Sequence, residues 1–266
     1  MRYFFHIAYQ GQYFSGWQKQ PGVKSVQEVI EQTLSKILKS PIAINGCGRT
    51  DAHVHASQFF FHADIEKDID FDLLYILNKA LPYNIAVFDI IKMEGKPHAR
   101  FDAVQRKYDY FVHTYKDPFL STQSSFYQLD DLDFDQMKAV VALLPKYKDY
   151  RAFCTHPDKY EHTICNVMEA ALFVNAKGDR FRFHIASNRF LGKMIRIIMG
   201  KLLMVGKGEL SFDEFERELI TLKPSKLSLP AHPTGLYLSK VTYPYLNLEP
   251  RTEFIHGTQG TEWILL

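Results

Sequence analysis

The chain contains no apolar run approaching the roughly 20 residues a bilayer-spanning helix requires, so no membrane-spanning segment is expected. It has only three cysteines, Cys47, Cys154 and Cys165, an odd number without paired spacing. That argues against a disulfide framework and fits a reducing compartment. Neither charge sign is in real excess: 32 Lys and Arg against 30 Asp and Glu give a formal net charge of +2. Composition therefore does not announce a nucleic-acid binder, and any basic surface has to be local. Arg49, Arg100, Arg106, Lys107, Arg189, Lys193 and Arg196 are the candidates for it. The opening residues Met1-Arg2-Tyr3-Phe4-Phe5-His6 lack the apolar core and small-residue cleavage site of a secretory leader, and a cytoplasmic location is expected. Also missing are the G-x-x-x-x-G-K-[ST] phosphate loop and the specific zinc patterns C-x-x-C and H-E-x-x-H.

What is there is apolar sequence, 46% hydrophobic against 23% charged, which supports a sizeable core and argues against wholesale disorder. A length of 266 residues suits one large or two modest domains. The most informative stretch is Gly46-Cys47-Gly48-Arg49-Thr50-Asp51-Ala52-His53-Val54-His55-Ala56-Ser57-Gln58-Phe59. Two glycines, an Arg and an Asp fall in one turn, and an alternating segment that reads as a buried strand follows. Glycine lets the backbone turn tightly or approach a ligand closely. Such a turn presents Asp51, and Arg49, two residues earlier, favours its carboxylate form by Coulomb attraction. An ionised carboxylate can serve as nucleophile or base. The turn alone leaves three readings open. Asp51 closes an Asx-turn beside a solvated Arg49; or Cys47, Asp51, His53 and His55 hold a metal, the two histidines sharing a strand face at i and i+2; or Asp51 is catalytic.

Periodicity predicts a strand over 2–9, then a helix to about 39 opened by the capping box Ser25-Val26-Gln27-Glu28, with Val29, Ile30, Leu34, Ile37 and Leu38 as its apolar face. Strands follow at 42–46 and 54–62, a helix at 71–81 beginning near Asp70, and a strand at 85–93. The order is β-α-β-β-α-β. The second half repeats it: a strand at 106–115, a helix from about Asp133 to Leu144, strands at 164–174 and 180–186, and a helix at 189–205. A further helix capped by Ser211-Phe212-Asp213-Glu214 and a final strand at 236–243 complete the pattern. Two split β-α-β units are implied, each an antiparallel sheet with helices on one face. The boundary falls within 96–105, giving 1–100, 101–245 and a tail of 246–266. Segments 116–131 and 145–162, with Pro118, Pro145 and Pro157, read as loops. The tail, with Pro250 and Gly257 to Gly260, ends in Trp263-Ile264-Leu265-Leu266, apolar residues expected to dock on the body or on a second subunit.

The stretch around Asp51 resembles the signature of the tRNA pseudouridine synthase A family, usually G-R-T-D-A-G-V-H-A followed by a Gln, with His53 in place of the second Gly. Further segments fall in the family's order between about residues 3 and 245. They are Tyr13-Phe14-Ser15-Gly16-Trp17-Gln18 with Ser25-Val26-Gln27, Asn78-Lys79-Ala80-Leu81-Pro82, His98-Ala99-Arg100-Phe101, Arg106-Lys107-Tyr108-Asp109-Tyr110, Phe190-Leu191 through Met194-Ile195-Arg196, and Gly235-Leu236. The resemblance implies an α+β protein of two ferredoxin-like halves with antiparallel sheets and a catalytic cleft between them. It also implies isomerisation of uridine to pseudouridine in the anticodon arm of tRNA (positions 38–40 of the anticodon stem-loop), by a homodimer. The matching Asp51 is then the nucleophile, through ribose C1′, a glycal or the uracil ring. Tyr108 stacks on the target base and serves proton transfer at C5.

Arg196 pairs with Asp51 in the same picture, keeping it ionised and oriented. Arg49 holds the place of the extruded base, since a base inside a stem is otherwise unreachable. Arg106, Arg189 and Lys193 join Arg49 and Tyr108 as substrate-binding residues. Read as one helix, Arg189, Lys193 and Arg196 form a stripe at i, i+4 and i+7, which a solvated basic face would equally produce. No cofactor and no metal are expected, because isomerisation needs neither redox equivalents nor an activated donor. The alternatives are an RNA-binding module of the same fold without the chemistry and a metal-assisted hydrolase using His53 and His55.

Overall fold

The computed structural model describes residues 1–66, 69–224, 229–251 and 263–266 and is a mixed α+β structure. In chain order the elements are β1 (Arg2–Tyr9), α1 (Val26–Leu38), β2 (Ile44–Gly46), β3 (His55–Asp64), α2 (Leu73–Ala80), β4 (Ile85–Lys92), β5 (Gln105–His113), β6 (Ser125–Phe126) and α3 (Phe134–Val141). They continue with β7 (Val167–Asn175), β8 (Arg180–Ser187), α4 (Met194–Gly206), α5 (Phe212–Thr221), β9 (Leu236–Thr242) and β10 (Trp263–Leu265). The described residues of Met1–Val104 and Tyr237–Gly257 form one compact unit, and those of Gln105–Leu236 and Thr258–Leu266 a second. The chain thus leaves its first unit near residue 104 and returns to it at Tyr237.

Helix starts are set by short polar side chains that satisfy otherwise orphaned N–H groups. Ser25 accepts from the Glu28 N–H at 3.2 Å, Asp72 from Tyr75 at 2.9 Å and Asp133 from Gln136 at 2.9 Å. Ser211 and Glu214 bond reciprocally, a complete capping box. The cap of α2 is therefore Asp72, not Asp70, because its carboxylate lies three residues before the Tyr75 N–H.

In the first unit β1 lies between β4 and β3, antiparallel to both, with Phe5 opposite Phe61 and Ile90. β2 pairs antiparallel with β3, and β9 pairs parallel with it through His55–Tyr237 and Ala56–Leu238. Alternation puts Phe5, Ile7, Phe59 and Phe61 on one face, where Phe5 stacks on Phe61 at 4.5 Å and Trp17 packs on Phe59 at 4.1 Å. The other face carries Phe4, His6, Phe60 and His62, and the returning chain lies on it. Tyr243 meets Phe4 and Phe60 edge-on, at 5.6 and 5.4 Å. Gln58, fully buried, accepts from the Val241 N–H and donates to the Leu248 carbonyl. These contacts hold 237–251 in the first unit. Hydrophobic alternation assigns that strand to the end of the second repeat because it carries no partner information.

In the second unit β8 lies between β7 and β5, antiparallel to both. β6 pairs with β5, placing a short strand in a segment that reads as loop. Phe181, Phe183 and Ile185 are fully buried. The segment 145–162 is built from short 3-10 turns at Leu144–Lys146, Arg151–Phe153 and Pro157–Lys159. β10 adds to the edge of β7 with Leu265 opposite Phe173, so the apolar end of the chain docks on the second unit. The tail glycines from 257 to 260 lie outside the described residues. The helix expected over 189–205 begins only at Met194, because Lys193 adopts a left-handed φ of 60° and interrupts the helical hydrogen bonding before it. Behind it, the α4 residue Lys201 and the α5 residue Glu218 form a fully buried ion pair at 2.9 Å.

Removing one partner of such a pair leaves an uncompensated buried charge, at a cost of about 3–5 kcal/mol. Glu218→Ala should lower the unfolding free energy by about that amount, and Lys201→Met with Glu218→Leu should recover most of it. Urea titrations read both. A second expectation concerns His62, whose Nδ1 accepts from the Ala99 N–H at 3.1 Å. Burial, helped by the nearby Arg2 charge, lowers its pKa from the ordinary 6.5 to about 4. Its contribution is complete above the ordinary value and is lost as pH falls from 6.5 toward about 4. The fall in urea midpoint across that interval should be shallower in His62→Gln than in the unaltered protein.

Candidate active site

Asp51 stands at the start of a turn that the neighbouring loop clamps in place. The Val54 N–H donates to the Asp51 carbonyl at 3.2 Å, closing the turn. From the Tyr13–Gln18 segment, the Trp17 N–H donates to the Thr50 carbonyl at 3.2 Å, and the Phe14 carbonyl accepts from the His53 N–H at 3.2 Å. Thr50, itself buried, is also 2.9 Å from the Tyr9 hydroxyl. Gly16, at φ 91°, lies so close that a Cβ there would come within 2.5 Å of the Thr50 carbonyl oxygen. Gly46 serves the same packing, since a Cβ on it would run into the Trp17 indole at 2.5 Å. The turn's own glycine therefore makes room for a core side chain. A glycine 35 residues before Asp51 makes the close approach to its backbone, a role that residues 46–59 alone do not reveal. The outcome is a half-buried Asp51 on a fixed backbone, with Arg49 and His53 exposed.

The remaining candidates lie in the second unit. Tyr108, on β5, is buried and meets Phe190 edge-on at 5.1 Å. Tyr110 lies on the same face, but its hydroxyl donates to the His232 carbonyl at 2.6 Å and lies 2.9 Å from the Ser125 Oγ. Burial pushes its pKa well above the ordinary tyrosine value. Tyr110 is thus tied into the protein. Arg106 donates to the Asn188 carbonyl at 3.1 Å. Arg189 lies against the His162 ring, with Nη1 3.3 Å from Nε2. Arg196 donates through Nε to the Ala231 carbonyl at 2.8 Å, and its own carbonyl accepts from the Ala231 N–H. The basic stripe expected on one helix does not form. Arg189 precedes α4, Lys193 is the exposed residue at its N-terminal boundary, and only Arg196 is helical.

The family model described as tRNA pseudouridine synthase matches residues 147–244. The tRNA pseudouridine synthase A of Parabacteroides distasonis is 40% identical over 250 residues, covering 91% of this chain and 96% of that protein. The chain belongs to the tRNA pseudouridine synthase A family. Its counterparts in Porphyromonas gingivalis, 37% identical over 249 residues, and Bacteroides fragilis, 36% over 245, also cover 91% of this chain. They are themselves covered to 97% and 96%.

Against the family motif, His53 is the informative departure. Its φ is 66°, the left-handed region for which glycine is suited, so the backbone path persists although the residue differs. The His53 Nδ1–H donates to the Gln12 carbonyl at 2.7 Å, which offsets part of the strain. His53 therefore lies in the turn and not on a strand face with His55. The His55 ring instead stacks on Tyr237 at 4.5 Å, and its Nδ1 accepts from the Gly11 N–H at 3.3 Å. The two histidines do not form the pair that a metal reading of this stretch requires. Among the described residues no group of three His, Cys, Asp or Glu is placed to hold a metal.

Left-handed φ for a non-glycine residue costs of order 1 kcal/mol, about what one hydrogen bond returns. His53→Gly should thus leave stability within about 1 kcal/mol and pseudouridine formation intact. Gly16→Ala should destabilise by roughly 2–3 kcal/mol and sharply reduce turnover, because its methyl collides with backbone that cannot rotate away. Thermal melts and a turnover assay on both variants check this.

Proposed function

We propose that this chain isomerises uridine to pseudouridine in tRNA, acting on the anticodon arm, as a cytoplasmic homodimer that needs neither metal nor organic cofactor. The observation that carries the reading is the clamped turn at Thr50–Val54. With Arg49 before it, it retains the family's Arg-Thr-Asp, and the residue in the family's glycine position keeps a glycine-like φ. In the first unit, the order β4-β1-β3-β2 supports the reading of a ferredoxin-like half. Among the described residues no helix is long and apolar enough to cross a membrane.

In the reaction the N1–C1′ bond of uridine breaks, a C5–C1′ bond forms, and the C5 proton is lost while N1 gains one. Atoms and electrons balance within the substrate, so no external oxidant or donor enters. Asp51 is the nucleophile, and its fixed backbone supplies the positioning that makes attack effectively intramolecular. Tyr108 offers its ring to the uracil and its hydroxyl to the proton at C5. Its burial beside Phe190 suits an aromatic that has to hold a base flat while the base turns. Arg196 serves as the cationic partner of the Asp51 carboxylate. Arg49, exposed beside the turn, holds the gap left by the extruded base. Arg106, Arg189 and Lys193 take phosphates. For Lys193, exposure at the N-terminal end of α4 supports this role, since helix termini of that polarity favour anions.

Incubation with unmodified tRNA transcript, without metal or cofactor, should yield pseudouridine in the anticodon arm. Asp51→Ala should form none while keeping RNA affinity within a few fold, because phosphate contacts remain. RNA binding without pseudouridine on several tRNAs would instead favour a binding module. Lys193→Ala should weaken binding and reduce the salt slope by about one. An unchanged slope would return that side chain to solvent.

A further inference from the structure

The turn that carries Arg189 and Lys193 and leads to Arg196 lacks a side-chain cap at the start of its helix. Asn188 to Lys193 connects β8 to α4, and Lys193 at φ 60° makes no side-chain cap. Two side chains and one backbone N–H from a distant loop grip its centre. The Gly192 N–H donates to the Tyr160 hydroxyl at 2.8 Å, while the Thr155 N–H and hydroxyl donate to the Gly192 carbonyl at 3.1 and 3.3 Å. The approach leaves no room: a Cβ at 192 would come within 2.9 Å of the Tyr160 oxygen and 3.2 Å of the Thr155 Oγ1.

That loop is itself anchored. Its ends meet in an antiparallel bridge, Asp149 to Ile164, with the Tyr150 N–H on the Thr163 carbonyl at 3.1 Å and the Cys165 N–H on the Lys148 carbonyl at 2.8 Å. The Thr163 hydroxyl donates to the Asp149 carboxylate at 2.5 Å. A second touch point is the Arg189 guanidinium against His162. From Gly192 the clamp reaches both directions along the chain. Two residues back is Phe190, which meets Tyr108; one residue on is Lys193; four on is Arg196.

We propose that the 151–163 loop is a positioning element for the reaction, with Tyr160 and Thr155 as the positioning residues that fix Gly192 and through it Phe190, Lys193 and Arg196. This rests on the assignment of Tyr108 and Arg196 to the reaction. Tyr160 touches no reacting atom; it sets where those groups stand when the uridine arrives.

The test is single-turnover and steady-state pseudouridine formation on a tRNA transcript by Tyr160→Phe, Gly192→Ala, their double variant and Arg196→Ala, with a melting curve for each. Tyr160→Phe should lower kcat roughly ten- to hundred-fold, the scale of a small misplacement. Its KM should stay within about three-fold and its melting temperature close to that of the unaltered protein, a split that lost folding does not produce. Gly192→Ala should act similarly. The double variant should be little worse than the poorer single one, because both break the same contact. Full turnover by Tyr160→Phe and by Gly192→Ala, with Arg196→Ala inactive, would overturn the positioning role alone. Losses that multiply in the double variant, or that follow the melting temperature, would overturn it too. Full turnover by Arg196→Ala would remove the site assignment on which the proposal stands.

Discussion

Two backbones pressed together at Gly16 and Thr50 are the constraint on which the placing of Asp51 depends. A carboxylate attached to a free loop samples many positions, and reaction rates fall steeply with ångström-scale misplacement. Here the loop preceding α1 lies directly on the backbone that carries Asp51, at a separation only a glycine permits, with hydrogen bonds on either side of the carboxylate. The aromatic packing beneath it follows from the same contact. Trp17, one residue after Gly16, is driven into the core against Phe59 and needs Gly46 to make space. Motif segments far apart in sequence are thus one mechanical object.

The second unit reaches a comparable result by other means. Phe181, Phe183 and Ile185 and most of α4 are buried, and in the turn between β8 and α4 hydrogen bonds from a separate loop hold Gly192, the residue before the left-handed Lys193. The buried Lys201–Glu218 pair behind it joins α4 to α5, and its desolvated charges tolerate no other partner cheaply. Lys193 is exposed at the N-terminal boundary of α4, while Arg106, Arg189 and Arg196 are half-buried and bonded within the protein.

Much of the element order could be read from periodicity and caps, since these are local: Ser25, Asp133 and Ser211 each mark a helix start with an oxygen three residues from the N–H it accepts. The β-prone, aromatic composition of β1 and the alternation in β3 likewise announced strands, but that the returning chain covers their second face is a tertiary fact. Where local pattern misled, a tertiary contact had overridden it. An apolar, helix-prone run from 189 onward reads as continuous helix, yet its first turn is unwound because Gly192 bonds to Thr155 and Tyr160 rather than along the helix. β6, only two residues long, exists because β5 offers it an edge.

Asp51, Tyr108 and Arg196 are candidates named by ordered motifs, because residue types and their order are written directly in the chain. The sequence by itself also determined the β-α-β-β-α-β order and the fact that any basic surface had to be local. Only the tertiary structure decided that His53 keeps a glycine's backbone, that Tyr110 is committed to His232 while its neighbour Tyr108 packs on Phe190, and that the chain returns to its first unit at Tyr237. Each of these depends on which atoms meet across tens or hundreds of residues, and such contacts leave no periodic trace in the segments that make them.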